Sequence, residues 1–151
     1  MKRNLVILAA AVSTGSLASA AYAHHSHPYF YDQCKSVTIE GRIESVQWKS
    51  PHSIILVRLD DGMAYTIDWR APWQLTREGI LESAQGALVF GARLSVTGNP
   101  IRTAAQIREH FPSFTSEVNP KTIDPRAIRR VDDSFNWGMS PDSFPLDCSR
   151  G

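Results

Sequence analysis

The chain has 151 residues, of which 42% are hydrophobic, and its 16 Lys and Arg residues nearly balance 15 Asp and Glu residues. This length and apolar content suit one small domain and exclude two separate hydrophobic cores. The formal net charge of +1 argues against a nucleic-acid binder, because such proteins present a basic surface.

The start of the chain has the features of a secretory signal: two basic residues, an apolar run, and a small-x-small triplet at residues 21–23. The run is shorter than the roughly 20 apolar residues that span a bilayer. We therefore predict a signal peptide over residues 1–23 and a single domain over residues 24–151. The mature protein is expected to be soluble, periplasmic or secreted, with no stable membrane insertion. Cleavage after Ala20 is the alternative, and it would leave three residues ahead of His24.

Cleavage after residue 23 makes His24 the first residue, followed by His25 and, two positions further on, His27. An N-terminal histidine can bind one metal ion through both its α-amine and its ring, which no internal histidine can do. Nitrogen-rich sites of this kind favour copper, with nickel and zinc as competitors. The tightest N-terminal copper motif has histidine third, and here Ser26 holds that place. An exposed His-rich terminus without a biological role is the alternative.

Apolar periodicity predicts five strands after the signal. Gly41 would allow the first strand to bend, and the Asp60-Asp61-Gly62 sequence predicts a hairpin between the second and third. The predicted strands are residues 36–48, 54–59, 63–69, 92–98 and 127–131. Eight of their side chains are expected to face one core: Ile39, Ile43, Val46, Ile55, Val57, Ile67, Leu94 and Val96.

Three strands, a short helix and two further strands is the order of a small five-stranded OB-like barrel. The helix is predicted to begin at Pro72 and to end near Gly79. We therefore predict an all-β fold with one short helix; a β-sandwich fragment is the alternative. Residues 99–125 are predicted to form a long excursion, and long loops in compact domains are often functional or mobile. The tail from residue 132 is predicted to be irregular.

Two residues near the predicted β-hairpin are candidates for a site. His52 stands at the start of the second strand, where a loop can present a side chain toward the barrel mouth. If the N-terminus folds over that mouth, His24 and His52 share a metal ion in a brace-like arrangement. A histidine that is merely hydrogen-bonded at a strand end is the alternative. Asp68, inside the third strand, either faces solvent or serves the site as a ligand or as support for one.

Both cysteines, Cys34 and Cys148, lie in the part of the chain that is predicted to be exported. An even number of cysteines in an oxidising compartment favours one disulfide, which would tie the C-terminal tail to the first strand. Two unpaired thiols, or pairing between chains, are the alternatives, because a disulfide needs Cα atoms within roughly 7 Å.

Six short segments carry a resemblance to a known family. They are HHS at residues 24–26, GRI at 41–43, WKSPH at 48–52, YTID at 65–68, PWQLTREG at 72–79 and VTGNP at 96–100. Together they resemble an uncharacterised family of small exported bacterial proteins, catalogued as a domain of unknown function. The resemblance implies an OB-like barrel and puts His24, His25, His52 and Asp68 at motif positions, without an established activity, substrate or cofactor. Ser50, where the family usually has Asn, is one departure from the pattern.

From these observations we predict an exported small binding protein that holds a transition metal, copper first, through its N-terminal histidines with His52. The main alternative is an OB-type module that binds an oligosaccharide, a peptide or a partner protein. Its binding face would include Arg58 and Trp69, and it would have no metal role. A copper-dependent oxidative enzyme with a histidine brace is a third hypothesis. We expect no catalytic residues, because the sequence has no nucleophile elbow, phosphate-binding glycine loop or Cys-x-x-Cys motif.

Overall fold

The computed structural model describes residues 27–139 of the chain, which contain six strands and four short helices. In chain order they are α1 (His27–Phe30), β1 (Val37–Gln47), β2 (Ser53–Arg58), β3 (Ala64–Trp69), α2 (Pro72–Arg77), α3 (Leu81–Ala87), β4 (Arg93–Pro100), α4 (Ala104–His110), β5 (Thr122–Arg130) and β6 (Asn136–Gly138). Within this range, no helix has the length and apolar character needed to cross a membrane.

Five of the strands form a closed barrel. β1 pairs antiparallel with β2 and β4, β2 with β3, and β4 with β5. A short parallel contact between β3 and β5 closes it, with Thr66 opposite Thr122 and Ile67 opposite Ile123. β6 extends the sheet by pairing with the other edge of β5. The predicted five-stranded OB-like barrel is confirmed.

The barrel interior holds the predicted core. Successive side chains of a strand point to opposite faces, so Ile55, Val57 and Ile67 are fully buried while their neighbours are more exposed. Seven of the eight predicted core residues are buried. The eighth, Val46, is partly buried and packs against the same cluster. The apolar alternation therefore predicted the inner face correctly.

Two glycines of the barrel are needed for different physical reasons. β1 contains a bulge between Ile43 and Ser45, two residues after Gly41, where the sequence predicts a bend. Gly41 is needed for a close approach, because a Cβ there would lie 2.4 Å from the carbonyl oxygen of Arg58. Gly62 has a φ of +86°, which glycine adopts without strain, and it forms the predicted turn between β2 and β3.

The structure has more short helices than the one predicted, and the excursion between β4 and β5 is shorter than predicted. α2 is the predicted helix, while α1, α3 and α4 are additional short ones. The excursion contains α4, which starts at a capping box in which Thr103 accepts a hydrogen bond from the backbone N–H of Gln106. β5 begins at Thr122 and not at residue 127. Pro125, which lacks an N–H, is tolerated there because the β4–β5 register shifts at this point.

Candidate functional site

His52 and Asp68, both predicted site residues, are in contact. His52 immediately precedes β2, and the pairing of Ile54 with Asp68 brings the start of β2 beside this position of β3. The Nδ1 atom of His52 lies 2.6 Å from Oδ1 of Asp68. The His52 side chain is 43% exposed and the Asp68 side chain 17% exposed. The carboxylate is therefore largely shielded from water, while part of the imidazole ring is accessible.

Tyr31 extends this pair into a chain of three side chains. Its phenol donates a hydrogen bond to Oδ2 of Asp68, the oxygen that His52 does not use. Burial of the Tyr31 side chain, reinforced by the Asp68 carboxylate, raises the pKa of the phenol. The phenol therefore stays protonated and stays a donor. Tyr31 was not predicted as a site residue from the sequence, although a tyrosine hydroxyl usually finds a partner when it is buried.

The environment of His52 favours its charged form. The hydrogen bond to Asp68 raises the pKa of His52, partial burial opposes the increase, and the charges of Asp68 and Asp124 add to it. Because Asp68 contacts Nδ1, a metal ion would bind this ring through Nε2. A carboxylate that holds one imidazole nitrogen in this way commonly orients a histidine that binds metal through the other.

Residues 27–32, which we call the N-terminal segment, dock on the chain that follows β4. The backbone N–H of Arg102 donates to the carbonyl oxygen of Phe30 over 2.8 Å. The Phe30 ring stacks on Phe111 with ring centroids 5.5 Å apart. These contacts hold the segment against the barrel and place Tyr31 next to Asp68.

A pocket of about 430 Å³ opens beside the Tyr31–Asp68–His52 chain. Its floor is the outer face of the barrel near the β3–β5 contact. Its outer wall consists of the N-terminal segment and the residues between β4 and β5. The apolar lining residues are Phe30, Ile101, Ile107, Phe114 and Val118, and the further polar ones are Glu117, Asn119 and Thr122. The excursion thus forms one wall of the site.

The structure does not bring the predicted binding-face residues Arg58 and Trp69 together. They lie at opposite ends of the β2–β3 hairpin. The Arg58 Nη2 atom donates to Oε2 of Glu44 over 2.9 Å on the outside of the barrel. Trp69 is 2% exposed, and its ring centroid lies 5.0 Å from that of Trp137. Trp69 is therefore a core residue and offers no exposed face to a ligand.

The predicted N-terminal ligands fall at the limit of the described residues. His24 and His25 lie outside them, and His27 opens α1. Cys34 lies inside and Cys148 outside, so the predicted disulfide stays a prediction. In the described part of the chain, no group of three or more His, Cys, Asp or Glu side chains is arranged to hold a metal ion. Of the predicted site residues, the structure thus unites His52 with Asp68.

Comparison with known proteins places this site within a family. A model described as a family of unknown function, DUF6152, matches residues 12–108. The match covers more than half of the chain and includes β1 to β4 together with Tyr31, His52 and Asp68. No curated protein and no solved structure matches the chain. The chain therefore belongs to the DUF6152 family of unknown function.

Proposed function

We propose that this protein is an exported small binding protein that binds a transition metal ion, preferably copper. The observation that carries the proposal is the 2.6 Å contact between His52 Nδ1 and Asp68 Oδ1. Histidines that bind metal usually donate their second ring nitrogen to a carboxylate, which fixes the ring and increases its basicity. The oriented ring of His52 lines a pocket that an ion can enter.

The N-terminal segment supports a shared site. Phe30 and Tyr31, at the end of this segment, line the same pocket as His52. His24 precedes α1 by three residues, a stretch that reaches at most about 10 Å when fully extended. A shared site requires the N-terminus that the predicted cleavage creates to reach this pocket.

The ligand chemistry favours copper. His24 would supply its α-amine and its ring nitrogen, and His52 would supply a third nitrogen. His25 and His27 are further candidates within the same short stretch. Sites built from amine and imidazole nitrogens bind copper more tightly than other divalent first-row metals. A site of this kind suits metal storage, delivery or sensing.

The test compares two proteins with the same side chains from His24 onward. One is exported and cleaved after Ala23; the other is expressed in the cytoplasm and starts with Met before His24. We expect the cleaved form to bind one copper ion at least about tenfold more tightly, or 1.4 kcal/mol, because only this form keeps the amine next to the ring. Competition against a chelator at fixed pH measures the affinities.

Two variants locate the site. His52→Ala should weaken copper binding by the cleaved form alone. His110→Ala is the matched control, because His110 packs against Tyr29, with ring centroids 4.7 Å apart, and does not line the pocket. Equal copper affinity in the cleaved and the Met-initiated protein would contradict the proposal.

Export and the disulfide between Cys34 and Cys148 belong to the same proposal. Mass spectrometry of the exported protein should show a chain that starts at His24. Pairing of the cysteines closes a loop of more than one hundred residues and is expected to stabilise by up to about 4 to 5 kcal/mol. Free-thiol titration of the unfolded, unreduced protein should find no thiol, whereas two thiols per chain would rule the disulfide out.

A further inference from the structure

The pocket beside His52 has a chemistry of its own, apart from the proposed metal. Two aromatic rings, those of Phe30 and Phe114, meet edge to face with centroids 5.8 Å apart. Ile101, Ile107 and Val118 complete this apolar side. A pocket of about 430 Å³ with apolar walls and a few polar groups is of the size that holds small organic ligands.

Apart from His52, the charged side chains of the lining are carboxylates. The carboxylates are Asp68 and Glu117, and no Lys or Arg is among the described lining residues. Asp68 is paired with His52, so their charges cancel when the imidazole is protonated. Glu117 is exposed and forms no ion pair with any residue in the range 27–139. Its negative charge is therefore available to a ligand.

Three cations, Arg102, Arg108 and Lys121, lie between β4 and β5, and none of them is a lining residue. Arg102 lies 3.8 Å from the Asp32 carboxylate, and the Nε atom of Arg108 donates to the backbone carbonyl oxygen of Phe114 over 3.2 Å. The lining charge without an ion-pair partner among residues 27–139 is thus that of Glu117, and the rings of Phe30 and Phe114 line the same pocket. Aromatic rings attract cations within about 6 Å of their centres.

We propose that this pocket binds an organic ammonium ion with an aromatic or aliphatic body. The body packs between the two phenylalanine rings and the aliphatic side chains, and the ammonium group lies toward Glu117. The same arrangement disfavours carboxylates and phosphates of similar size. This binding requires no metal ion, although the ligand and the proposed copper ion would occupy the same pocket.

Three ligands that share an indole ring test the charge preference: tryptamine is positive, tryptophol neutral and indole-3-acetate negative. Isothermal titration calorimetry of the mature protein is done with EDTA present, so that coordination to a metal does not contribute. Tryptamine should bind at least about tenfold more tightly than indole-3-acetate, a difference of 1.4 kcal/mol, with tryptophol between them. No binding of tryptamine, or equal affinity for all three, overturns the proposal.

Glu117→Gln should weaken tryptamine binding by about threefold, as expected for one exposed charge pair, and leave tryptophol binding unchanged. Glu109→Gln is the matched control, because it removes an exposed carboxylate of α4 that does not line the pocket. An equal effect of the two variants overturns the role of Glu117. Tryptamine binding that appears only when copper replaces EDTA overturns the metal-independent site while leaving the copper proposal standing.

Discussion

The two faces of β3 carry opposite chemistry within three consecutive residues. Ile67 and Trp69 point into the core with exposed fractions of 0% and 2%. Asp68, between them, points outward and accepts contacts from Tyr31 and His52, which lie 37 and 16 residues away in the sequence. The packing of the inner face depends on many apolar side chains, each of which contacts several others. The arrangement of the outer face depends on a few hydrogen bonds between distant segments, and each bond needs one particular partner.

The largest expected effect is on the inner face, at Val57. This residue is fully buried in β2, and Val57→Asp would bury a carboxylate without a partner. Such a charge costs several kcal/mol, comparable with the roughly 5–15 kcal/mol that stabilises a whole domain. We expect circular dichroism to show no cooperative thermal unfolding. Leu56→Asp, on the partly buried outer face one residue earlier, should lower the free energy of unfolding by less. An unchanged thermal midpoint for Val57→Asp would show that the inner face is assigned wrongly.

A smaller effect is expected where β4 and β5 approach each other most closely. A Cβ at Gly98 in β4 would lie 2.2 Å from the carbonyl oxygen of Asp124 in β5. Gly98→Ala should therefore lower the free energy of unfolding by about 1 to 3 kcal/mol, as overpacking does. Gly86→Ala is the control, because a methyl group on this helical glycine would meet no atom within 4 Å and alanine favours helices by up to about 1 kcal/mol. Urea unfolding that finds Gly98→Ala as stable as the natural chain would contradict the close β4–β5 approach.

On the outer face, Tyr31→Phe keeps the ring and removes the donor to Asp68. Hydrogen bonds to a charged group contribute about 1.5 to 3 kcal/mol, and partial exposure of the carboxylate reduces this to about 1 to 2 kcal/mol. Tyr65→Phe is the control, because the Tyr65 hydroxyl forms no hydrogen bond to a described residue. Chemical denaturation of both variants measures the difference. Equal losses would show that the phenol–carboxylate contact contributes nothing of its own.

The smallest effect concerns the pH dependence of His52. Its pKa is raised in the folded protein, so the contact with Asp68 stabilises fully below the unfolded pKa of about 6.5. That contribution is lost as the pH rises through the folded pKa. We expect the stability advantage of the natural chain over His52→Gln to shrink as the pH rises above about 6.5 when EDTA is present. The stability difference should be small, because the His52 ring is partly exposed. A stability difference that grows with pH would contradict Asp68 as the partner of His52.

Local signals predicted most of the barrel. The predicted strand at residues 54–59 is shifted by one residue from Ser53–Arg58, and the one at 63–69 begins one residue before Ala64–Trp69. The agreement is close because alternation and the Asp-Gly turn act within a few residues. The short α3 and β6 were missed, since a helix of seven residues and a strand of three give too few periods to detect.

The candidate site was predicted only in part, because only some of its residues give a local signal in the sequence. His52 and Asp68 stand out locally, one at a strand end and the other as a charged residue among apolar neighbours. Their contact, however, arises from the pairing of β2 with β3. Tyr31 reaches Asp68 only because the N-terminal segment docks beside the chain after β4. Such a tertiary contact leaves no local pattern in the sequence.

The parallel contact between β3 and β5 has a consequence for the order of folding. It consists of two residue pairs, Thr66 with Thr122 and Ile67 with Ile123, whose partners lie more than fifty residues apart in the chain. Contacts of such long range form late, because closing a long loop is unfavourable until the rest of the structure offsets it. The β1–β2–β3 meander can form earlier from local contacts, whereas the pocket gains its floor only after this closure. Ligand binding in the pocket should therefore mark the last stage of folding.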